Sequence, residues 1–351
     1  MPTTAPALRR TPPRPPDALV GDPERARVTH EPTRRRFGFG AGALTLAGLL
    51  AACGGTTEGA AEPTGTAGDT IRYTYGGADR VLPRTPRRVV TIQGRMDLEL
   101  ALLAGYPVIG SGNAWMPGAR VGSQFQGITV PDIATVGLGD GLQVDYEQIL
   151  RLDPDLIVMP QYGYEVDWYG NKRLEQMAPI LGVSEDPVDW RRASTEQLTL
   201  LGRGEQARTH VAAYDEKLAR LRPRLTDRLG GRRIVFGVVA GGAFSVWTRS
   251  ITMSVAREVG LEPMFWNAAD ENNSFELSLE RFDRLAAADV IIRQAVEPAE
   301  AAALDAQPTW QRIPAVANRK VVTMDGRYNA GLVLTATGFL DVLARAADLY
   351  A

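Results

Sequence analysis

The segment 203–229 carries a long apolar repeat that decides how the rest of this 351-residue chain can be arranged. Its apolar side chains are spaced three or four residues apart, which places them on one face of an α-helix. They are Ala207, Val211, Tyr214, Leu218, Leu221, Leu225 and Leu229. Charged residues fill the opposite face. A helix of this length, roughly 40 Å, is long enough to join two halves of a protein.

The two ends of this helix and an internal proline are also visible in the sequence. Gly204 precedes the apolar run, and Gly230 with Gly231 ends it, because glycine is favoured after the last helical turn. Pro223 is expected to kink the helix or to split its last turn, since proline has no N–H to donate. A single apolar stripe could also form a coiled coil. Strand and helix patterns on both sides favour burial within the chain instead.

Residues 1–53 have the composition of an export leader rather than of a fold. Residues 1–32 are rich in Pro, Arg and Ala without an apolar period, and we expect them to be disordered. Arg34 and Arg35 precede a weak apolar run from Phe37 to Ala52, a pattern that resembles a twin-arginine signal. The run ends in Leu-Ala-Ala-Cys, which resembles a lipobox and predicts lipidation of Cys53. Residues 54–70 are then a flexible Gly/Ala/Thr/Glu tether.

Charge and metal-ligating residues exclude several classes of function. The chain after residue 52 has 31 Arg and Lys against 37 Asp and Glu, a net charge of −6, which argues against a nucleic-acid surface. Its single histidine, His210, lies on the predicted connecting helix, and its single thiol is the predicted lipidation site. A zinc or manganese site usually needs several such ligands. We therefore expect no metal site and no disulfide.

The remaining chain alternates short apolar strands with amphipathic helices. Strands are predicted at 71–75, 87–92, 107–110 and 154–159 before the long helix, and at 232–239, 289–292 and 320–324 after it. Helices are predicted at 96–104, 147–152, 250–259, 310–316 and 332–350. This order predicts an α/β fold with two Rossmann-like lobes, mainly parallel sheets and one long connecting helix. The lobes would span 71–192 and 231–351, with the connecting segment at 193–230.

A short internal repeat supports two similar lobes. Residues 147–157 read Glu-Gln-Ile-Leu-Arg-Leu and then Asp-Leu-Ile, and residues 280–291 read Glu-Arg-Phe-Asp-Arg-Leu and then Asp-Val-Ile. The second copy has one extra residue. In each copy a helix that starts with glutamate leads into a strand that follows aspartate.

Several short motifs in a fixed order resemble one transport family. They are Pro86-Arg87-Arg88-Val89-Val90, Asp97, Gly105-Tyr106-Pro107-Val108, Val136-Gly137, Tyr146-Glu147-Gln148-Ile149, Leu152-Asp153-Pro154-Asp155-Leu156-Ile157, Ser278-Leu279-Glu280, Ala288-Asp289-Val290-Ile291 and Trp310. Together with the leader, they resemble the substrate-binding proteins of iron-siderophore ABC importers, in which one rigid helix joins two lobes. The resemblance covers about residues 71–350.

This resemblance implies a function, partners and a location. The chain would be a lipid-anchored protein on the outer face of the cytoplasmic membrane, exported and monomeric. It would capture a ferric siderophore between its lobes and deliver it to a permease driven by a cytosolic ATPase, with no cofactor of its own. Haem and cobalamin binders share the fold and remain alternatives. A lipoprotein that binds a partner or sensor protein is a further alternative.

Candidate ligand contacts follow the predicted strands, because ligands gather at the carboxyl ends of parallel strands. Arginine supplies cations for an oxygen-rich, often anionic chelate, and aromatic rings supply apolar surface. The alternatives are solvated surface arginines and aromatic side chains packed in the core. The predicted ligand contacts are Arg95, Trp115, Tyr162, Trp247, Arg249, Arg293, Arg327 and Tyr328.

The resemblance also implies a docking site for the permease. In such importers one exposed glutamate on each lobe contacts arginines of the permease, and the matching positions here are Glu147 and Glu280. The alternative is a helix N-terminal acid that is stabilised by the helix dipole.

Catalysis has no support in the sequence. There is no Gly-rich phosphate loop with lysine, no serine nucleophile elbow and no Cys-His pair. We therefore predict a binding protein and not an enzyme.

Overall fold

The computed structural model describes residues 69–113, 121–122, 125, 128–130, 132–137, 144–240, 242–295, 298–324 and 328–351. The twin-arginine motif, Cys53 and most of the predicted tether lie outside these ranges. Within them, no helix has the length and apolar character needed to cross a membrane.

The first lobe is built on a parallel sheet of short strands, most of which are buried. Its order is β5-β4-β3-β6-β7, and every pairing is parallel. Helices follow most of the strands, as the alternating pattern predicts. The strands are β3 (Val89–Thr91), β4 (Val108–Ser111), β5 (Ala134–Thr135), β6 (Leu156–Pro160) and β7 (Ile180–Val183), and the helices are α1 (Met96–Leu103), α2 (Tyr146–Leu152), α3 (Gln161–Glu165) and α4 (Asn171–Glu175).

An antiparallel hairpin precedes this sheet. Strand β1 (Thr70–Tyr75) pairs with β2 (Ala78–Pro83), and the turn between them uses Gly76 and Gly77. The sequence predicts only the first of these strands. The hairpin is held by Tyr73, which is fully buried and donates its hydroxyl to Gln197 Oε1 at 2.9 Å.

The second lobe has a mixed sheet of order β10-β9-β8-β11-β12. The strands β8, β11 and β12 are parallel, whereas β9 and β10 run antiparallel to their neighbours, so the sheet is less uniformly parallel than predicted. The strands are β8 (Ile234–Ala240), β9 (Ala243–Trp247), β10 (Ser274–Leu277), β11 (Val290–Ala295) and β12 (Val321–Met324). The helices are α7 (Ile251–Val259), a 3₁₀ helix (Leu279–Leu285), α8 (Pro298–Asp305), α9 (Pro308–Gln311), α10 (Pro314–Ala317) and α11 (Val333–Asp348).

The connecting helix is present as α6 (Gly204–Leu229). Its predicted apolar face is buried at Ala207, Tyr214, Leu218, Leu225 and Leu229, and packs against α5 (Trp190–Leu200) and α11. Pro223 lies on the exposed side and does not split the helix. The predicted connecting segment 193–230 is therefore two helices, because the turn at 201–203 separates α5 from α6.

One hydrophobic core runs through both lobes. It includes Val158 of the first sheet, Trp190 of α5, Tyr214 of α6, Phe236 of the second sheet and Phe339 of α11. Two smaller clusters cover the outer faces of the two sheets. A shared core of this kind resists independent movement of the lobes, since separating them would expose apolar surface.

The internal repeat has a structural counterpart. Asp155 accepts hydrogen bonds from the backbone N–H groups of Arg87 and Arg88, at 2.7 and 2.9 Å. Asp289 likewise accepts the backbone N–H of Arg233 at 2.8 Å. Each aspartate thus joins the start of a strand to the start of its neighbour, which explains why the same short pattern occurs in both lobes.

Candidate functional site

The loop between β3 and α1 has a conformation that its own side chains fix. Asp97 is fully buried, and its carboxylate accepts the backbone N–H of Gln93 at 2.6 Å and that of Arg95 at 2.8 Å. Gly94 has a φ of +77°, and a Cβ atom there would lie 2.0 Å from the carbonyl oxygen of Gly112. Only glycine fits such a close approach. The loop is therefore a rigid support for Arg95.

Arg95 joins the two lobes. Its side chain is 4% exposed, and Nη2 donates to Oδ1 of Asn329 in the second lobe at 2.8 Å. Its Nε–H is buried and has no partner among the described residues. A buried donor without a partner is costly, so this atom is a candidate contact for a bound acceptor.

Aromatic side chains adjoin Arg95. Tyr162 lies in the first turn of α3, which follows β6, and its hydroxyl accepts from Nε2 of Gln93 at 2.9 Å. Burial raises the pKa of Tyr162, whereas the charge of Arg95 opposes this increase, so the hydroxyl remains protonated at neutral pH. Trp168 packs edge-on against Tyr162, with ring centroids 5.3 Å apart. Both rings are partly exposed and offer apolar surface to a ligand.

Glu185 is a carboxylate placed among these groups. It lies two residues beyond β7, is partly buried, and its Oε2 atom has no hydrogen-bond partner among the described residues. Burial raises its pKa to about 7, and this increase is opposed by the charge of Arg95, a hydrogen bond from the Gly331 N–H and the charge of Arg249. The pKa of Glu185 therefore depends on charged side chains of both lobes.

Arg249 supplies a cation from the second lobe. It is partly buried, and its Nε–H has no partner among the described residues. It follows β9, which runs antiparallel to β8, so the rule for carboxyl ends of parallel strands does not explain its position. A contact between the lobes places Arg249 near Glu185. Ser254 of α7 donates to the carbonyl oxygen of Pro187 in the first lobe, and this hydrogen bond holds the start of α7 against the loop that contains Glu185.

A second buried carboxylate fixes the segment that carries Asn329 and Gly331. Glu99 of α1 is fully buried and accepts the backbone N–H groups of Leu332, Leu334 and Thr335, at 2.8, 2.7 and 3.0 Å, and the Thr335 hydroxyl at 2.6 Å. These are donors at the N-terminus of α11, which a side chain of the other lobe therefore caps. Burial raises the pKa of Glu99, and these donors oppose the increase.

Not all of the predicted ligand contacts lie near Arg95 and Glu185. Trp247 and Tyr328 are 5% and 6% exposed and belong to the shared core, where Tyr328 packs against Phe339. Their positions match the packing alternative, because large aromatic side chains are most stable when buried. Trp115 and Arg327 lie outside the described residues.

Arg293 occupies a different environment. Its Nη1 and Nη2 atoms donate to both carboxylate oxygens of Asp305 at 2.7 and 2.5 Å, and its Nε donates to the hydroxyl of Thr323 at 3.2 Å. It lines an open cavity of about 560 Å³ whose lining residues all belong to the second lobe. A bidentate pair of this kind leaves little capacity for a ligand. Arg293 is thus not part of the inter-lobe group.

Glu185 and Asn329 adjoin Arg95 in the structure and were not predicted as site residues from the sequence. Glu185 follows a strand closely, as the rule for strand ends requires, but β7 is too short and too weakly patterned to be predicted from the sequence. Asn329 lies beyond β12, next to the predicted contacts Arg327 and Tyr328. We refer to Arg95, Glu185, Arg249 and Asn329 as the inter-lobe cluster.

The two predicted docking glutamates are exposed. Glu147 lies in the first turn of α2, with a side-chain exposure of 84% and a 3.9 Å ion pair with Arg151. Glu280 is exposed in the 3₁₀ helix that follows β10. Leu150 and Leu279 beside them are 62% and 40% exposed, so each glutamate adjoins an apolar side chain.

No group of three or more His, Cys, Asp or Glu side chains within the described ranges has the arrangement of a metal site.

Comparison with known families identifies the family of this chain. The model of a periplasmic binding protein family matches residues 117–328, more than half of the chain. The chain belongs to the periplasmic binding protein family. Members are extracytoplasmic substrate-binding proteins, so the predictions of a transport-type binding protein and of no enzyme are confirmed.

Individual relatives agree with this assignment. The iron(3+)-hydroxamate-binding protein FhuD of Bacillus subtilis is 23% identical over 300 residues, which are 83% of this chain and 90% of the relative. The siderophore-binding protein FhuD of Vibrio cholerae, bound to Fe³⁺-Desferal, has a TM-score of 0.62 at 15% identity and covers 76% of this chain and 99% of its own. The triscatecholate-binding protein FeuA of Bacillus subtilis, with ferri-bacillibactin, has a TM-score of 0.62 at 15% identity, with coverages of 79% and 98%. The predicted two-lobe α/β fold with one long helix is confirmed.

Proposed function

We propose that this periplasmic binding protein captures a ferric siderophore between its lobes and delivers it to the permease of an ABC importer. The observation that carries the proposal is the inter-lobe cluster, in which Arg95 and Arg249 approach from different lobes and each keeps a buried Nε–H without a partner among the described residues. The names of the relatives support the same ligand class, since they include hydroxamate and catecholate binders.

The chemistry of the site suits a chelate rather than a free ion. Arginine N–H groups form strong hydrogen bonds with anionic or carbonyl oxygens, which surround iron in a siderophore. Tyr162 and Trp168 offer apolar ring surface for the organic skeleton. Because the described residues lack a metal-ligand cluster, iron would arrive already coordinated.

The proposal includes the cellular context. The chain would be exported by its twin-arginine signal, anchored through Cys53 and active as a monomer on the outer face of the cytoplasmic membrane. Glu147 and Glu280 would contact the permease, and a cytosolic ATPase would drive transport. Their exposure on the two lobes supports this role.

Tryptophan fluorescence titration of the purified full-length chain tests the ligand. We expect saturable quenching by a ferric siderophore and not by its iron-free form, with the affinity lowered about tenfold or more by Arg95→Ala or Arg249→Ala, because each removes a charged hydrogen-bond donor. Arg220→Ala, an exposed change on α6, is the matched control and should leave the affinity unchanged.

The panel also includes haem, cobalamin and free zinc. A response to haem or cobalamin alone would retain the family and replace the ligand. No response to any compound would contradict the transport proposal and favour a lipoprotein that binds a partner protein.

A further inference from the structure

The inter-lobe cluster carries more positive than negative charge. Arg95 and Arg249 contribute two cations, and Glu185 contributes one titratable carboxylate close to both. The neighbouring Gln93, Tyr162 and Asn329 are neutral. Two further carboxylates, Asp97 and Glu99, are occupied by backbone N–H groups of the loop before α1 and of the α11 N-terminus.

Glu185 is near the two arginines without pairing with either. Both guanidinium charges act on its carboxyl group, yet in the described part of the chain neither arginine forms an ion pair with it within 4 Å. Unused hydrogen-bonding atoms remain on all three side chains: Nε of Arg95, Nε of Arg249 and Oε2 of Glu185. Ligand oxygens placed among them would satisfy the two donors and would also lie close to the carboxylate.

The effect of such a ligand depends on its charge. A chelate without net charge can accept from the arginines while Glu185 stays ionised as their counter-ion. A chelate with several negative charges would repel the ionised carboxylate in a partly buried site, where like charges interact more strongly than in water. Protonation of Glu185 removes this repulsion and provides an O–H donor.

We propose that Glu185 determines which chelate charge this site accepts: an uncharged ferric chelate binds directly, whereas a highly anionic ferric chelate binds with the uptake of one proton by Glu185. This inference rests on the proposed function, because it assigns the ligand class of the same site. The two arginines alone would favour an anionic chelate, and Glu185 limits this preference.

The surroundings identify Glu185 as the group that titrates. Arg95 and Arg249 face it from the two lobes, the Gly331 N–H faces it from the segment before α11, and Tyr162 faces it from α3. The neighbouring Asp186 has a lowered pKa, because burial, which would raise it, is outweighed by backbone N–H groups and Arg192, so its carboxylate remains ionised. Burial places the pKa of Glu185 near 7, where an anionic ligand can readily shift its protonation.

The test compares an uncharged ferric chelate with a highly anionic one, each at two pH values. Ferrichrome, an uncharged ferric tris-hydroxamate, and ferric enterobactin, a tris-catecholate with three negative charges, are titrated by fluorescence one unit below and one unit above the Glu185 pKa of about 7. For the full-length protein we expect the affinity for ferric enterobactin to be about tenfold weaker at the higher pH, the dependence for uptake of one proton. The affinity for ferrichrome should change less than about twofold.

Glu185→Gln imitates the protonated side chain. In this variant we expect ferric enterobactin to bind equally at both pH values, with the affinity of the unchanged protein at the lower pH. Glu262→Gln, an exposed change, is the matched control and should keep the pH dependence. Calorimetry of the unchanged protein in two buffers of different ionisation enthalpy measures proton uptake directly and does not depend on any variant.

Each outcome is decisive. Equal pH dependence in the unchanged protein and Glu185→Gln, or binding of ferric enterobactin without proton uptake in the calorimetry, would overturn the role of Glu185 and leave siderophore binding intact. Absence of binding by both chelates to both proteins, at either pH, would remove this inference, and the proposed function would fail with it if no other ferric siderophore quenches the fluorescence.

Discussion

Two buried arginines of this protein differ in how many of their N–H groups have hydrogen-bond partners. This difference distinguishes a structural side chain from a candidate ligand contact. Arg293 is paired with both oxygens of Asp305 and needs no further partner. Arg95 has one contact with Asn329 and a buried Nε–H without a partner in the described chain. Sequence patterns cannot make this distinction, because they show that arginine follows a strand but not which carboxylate reaches it.

Glu185 should make stability depend on pH even without ligand. Its folded pKa of about 7 lies above the ordinary value of 4.5, so the folded state binds this proton more tightly than the unfolded state. Its contribution is therefore fully present below about pH 4.5 and is lost as the pH rises through about 7. We expect the free energy of unfolding of the unchanged protein, relative to Glu185→Gln, to fall by about 3 kcal/mol across this range.

Urea unfolding at several pH values measures this difference. Glu262→Gln should show no such trend, since its side chain is exposed. A difference between the unchanged protein and Glu185→Gln that is constant with pH would contradict the raised pKa of Glu185.

At the level of elements, periodicity predicts those helices that bury one continuous face. The predicted helix 250–259 and its terminal Gly260 are confirmed, with Ser250 as N-cap and Gly260 in the left-handed conformation. Strands β2 and β9 were missed because their stability comes from hairpin pairing rather than from an apolar pattern. The apolar run predicted at 203–229 corresponds to α6, and the part of the predicted segment 193–230 that precedes this run belongs to α5.

The cap on α11 is an element-scale feature that a sequence cannot reveal. We expect Glu99→Gln to lower the free energy of unfolding by about 2 kcal/mol, because an amide can accept with only one end and its NH₂ group would oppose the N–H donors of α11. Guanidinium unfolding measures the effect. Glu216→Gln on the exposed side of α6 is the matched control. Equal stability of Glu99→Gln and the unchanged protein would show that the cap does not support the helix.

At the scale of the whole molecule, several contacts hold the lobes in one arrangement. Arg191 of α5 donates to Asp215 of α6 at 2.6 Å and to Glu258 of α7 at 3.1 Å, and Tyr214 donates to the same Glu258 at 2.8 Å. The shared core and the Glu99 cap add to this connection. Large hinge closure would have to break these contacts. Ligand recognition therefore depends on a preformed site, in which charge balance can select the ligand.

A preformed arrangement also fixes the spacing of the two exposed glutamates that we propose as permease contacts. Each adjoins an exposed leucine, Leu150 or Leu279, so the two lobes present similar acidic and apolar surfaces. We expect the double change Glu147→Ala and Glu280→Ala to reduce siderophore uptake by about tenfold or more in proteoliposomes that contain the permease and its ATPase, since two interface charges are lost. Siderophore affinity in solution should not change, because neither glutamate lies in the inter-lobe cluster.

Single changes should give smaller losses, as each leaves one lobe able to dock. The exposed Glu216→Ala is the matched control for loss of a surface charge, and its uptake should equal that of the unchanged protein. Full uptake by the double variant, together with normal siderophore binding, would contradict docking through these residues. In that case the acidic side chains at the starts of these two helices would act only through the helix dipole, and recognition by the permease would have to use another surface of the lobes.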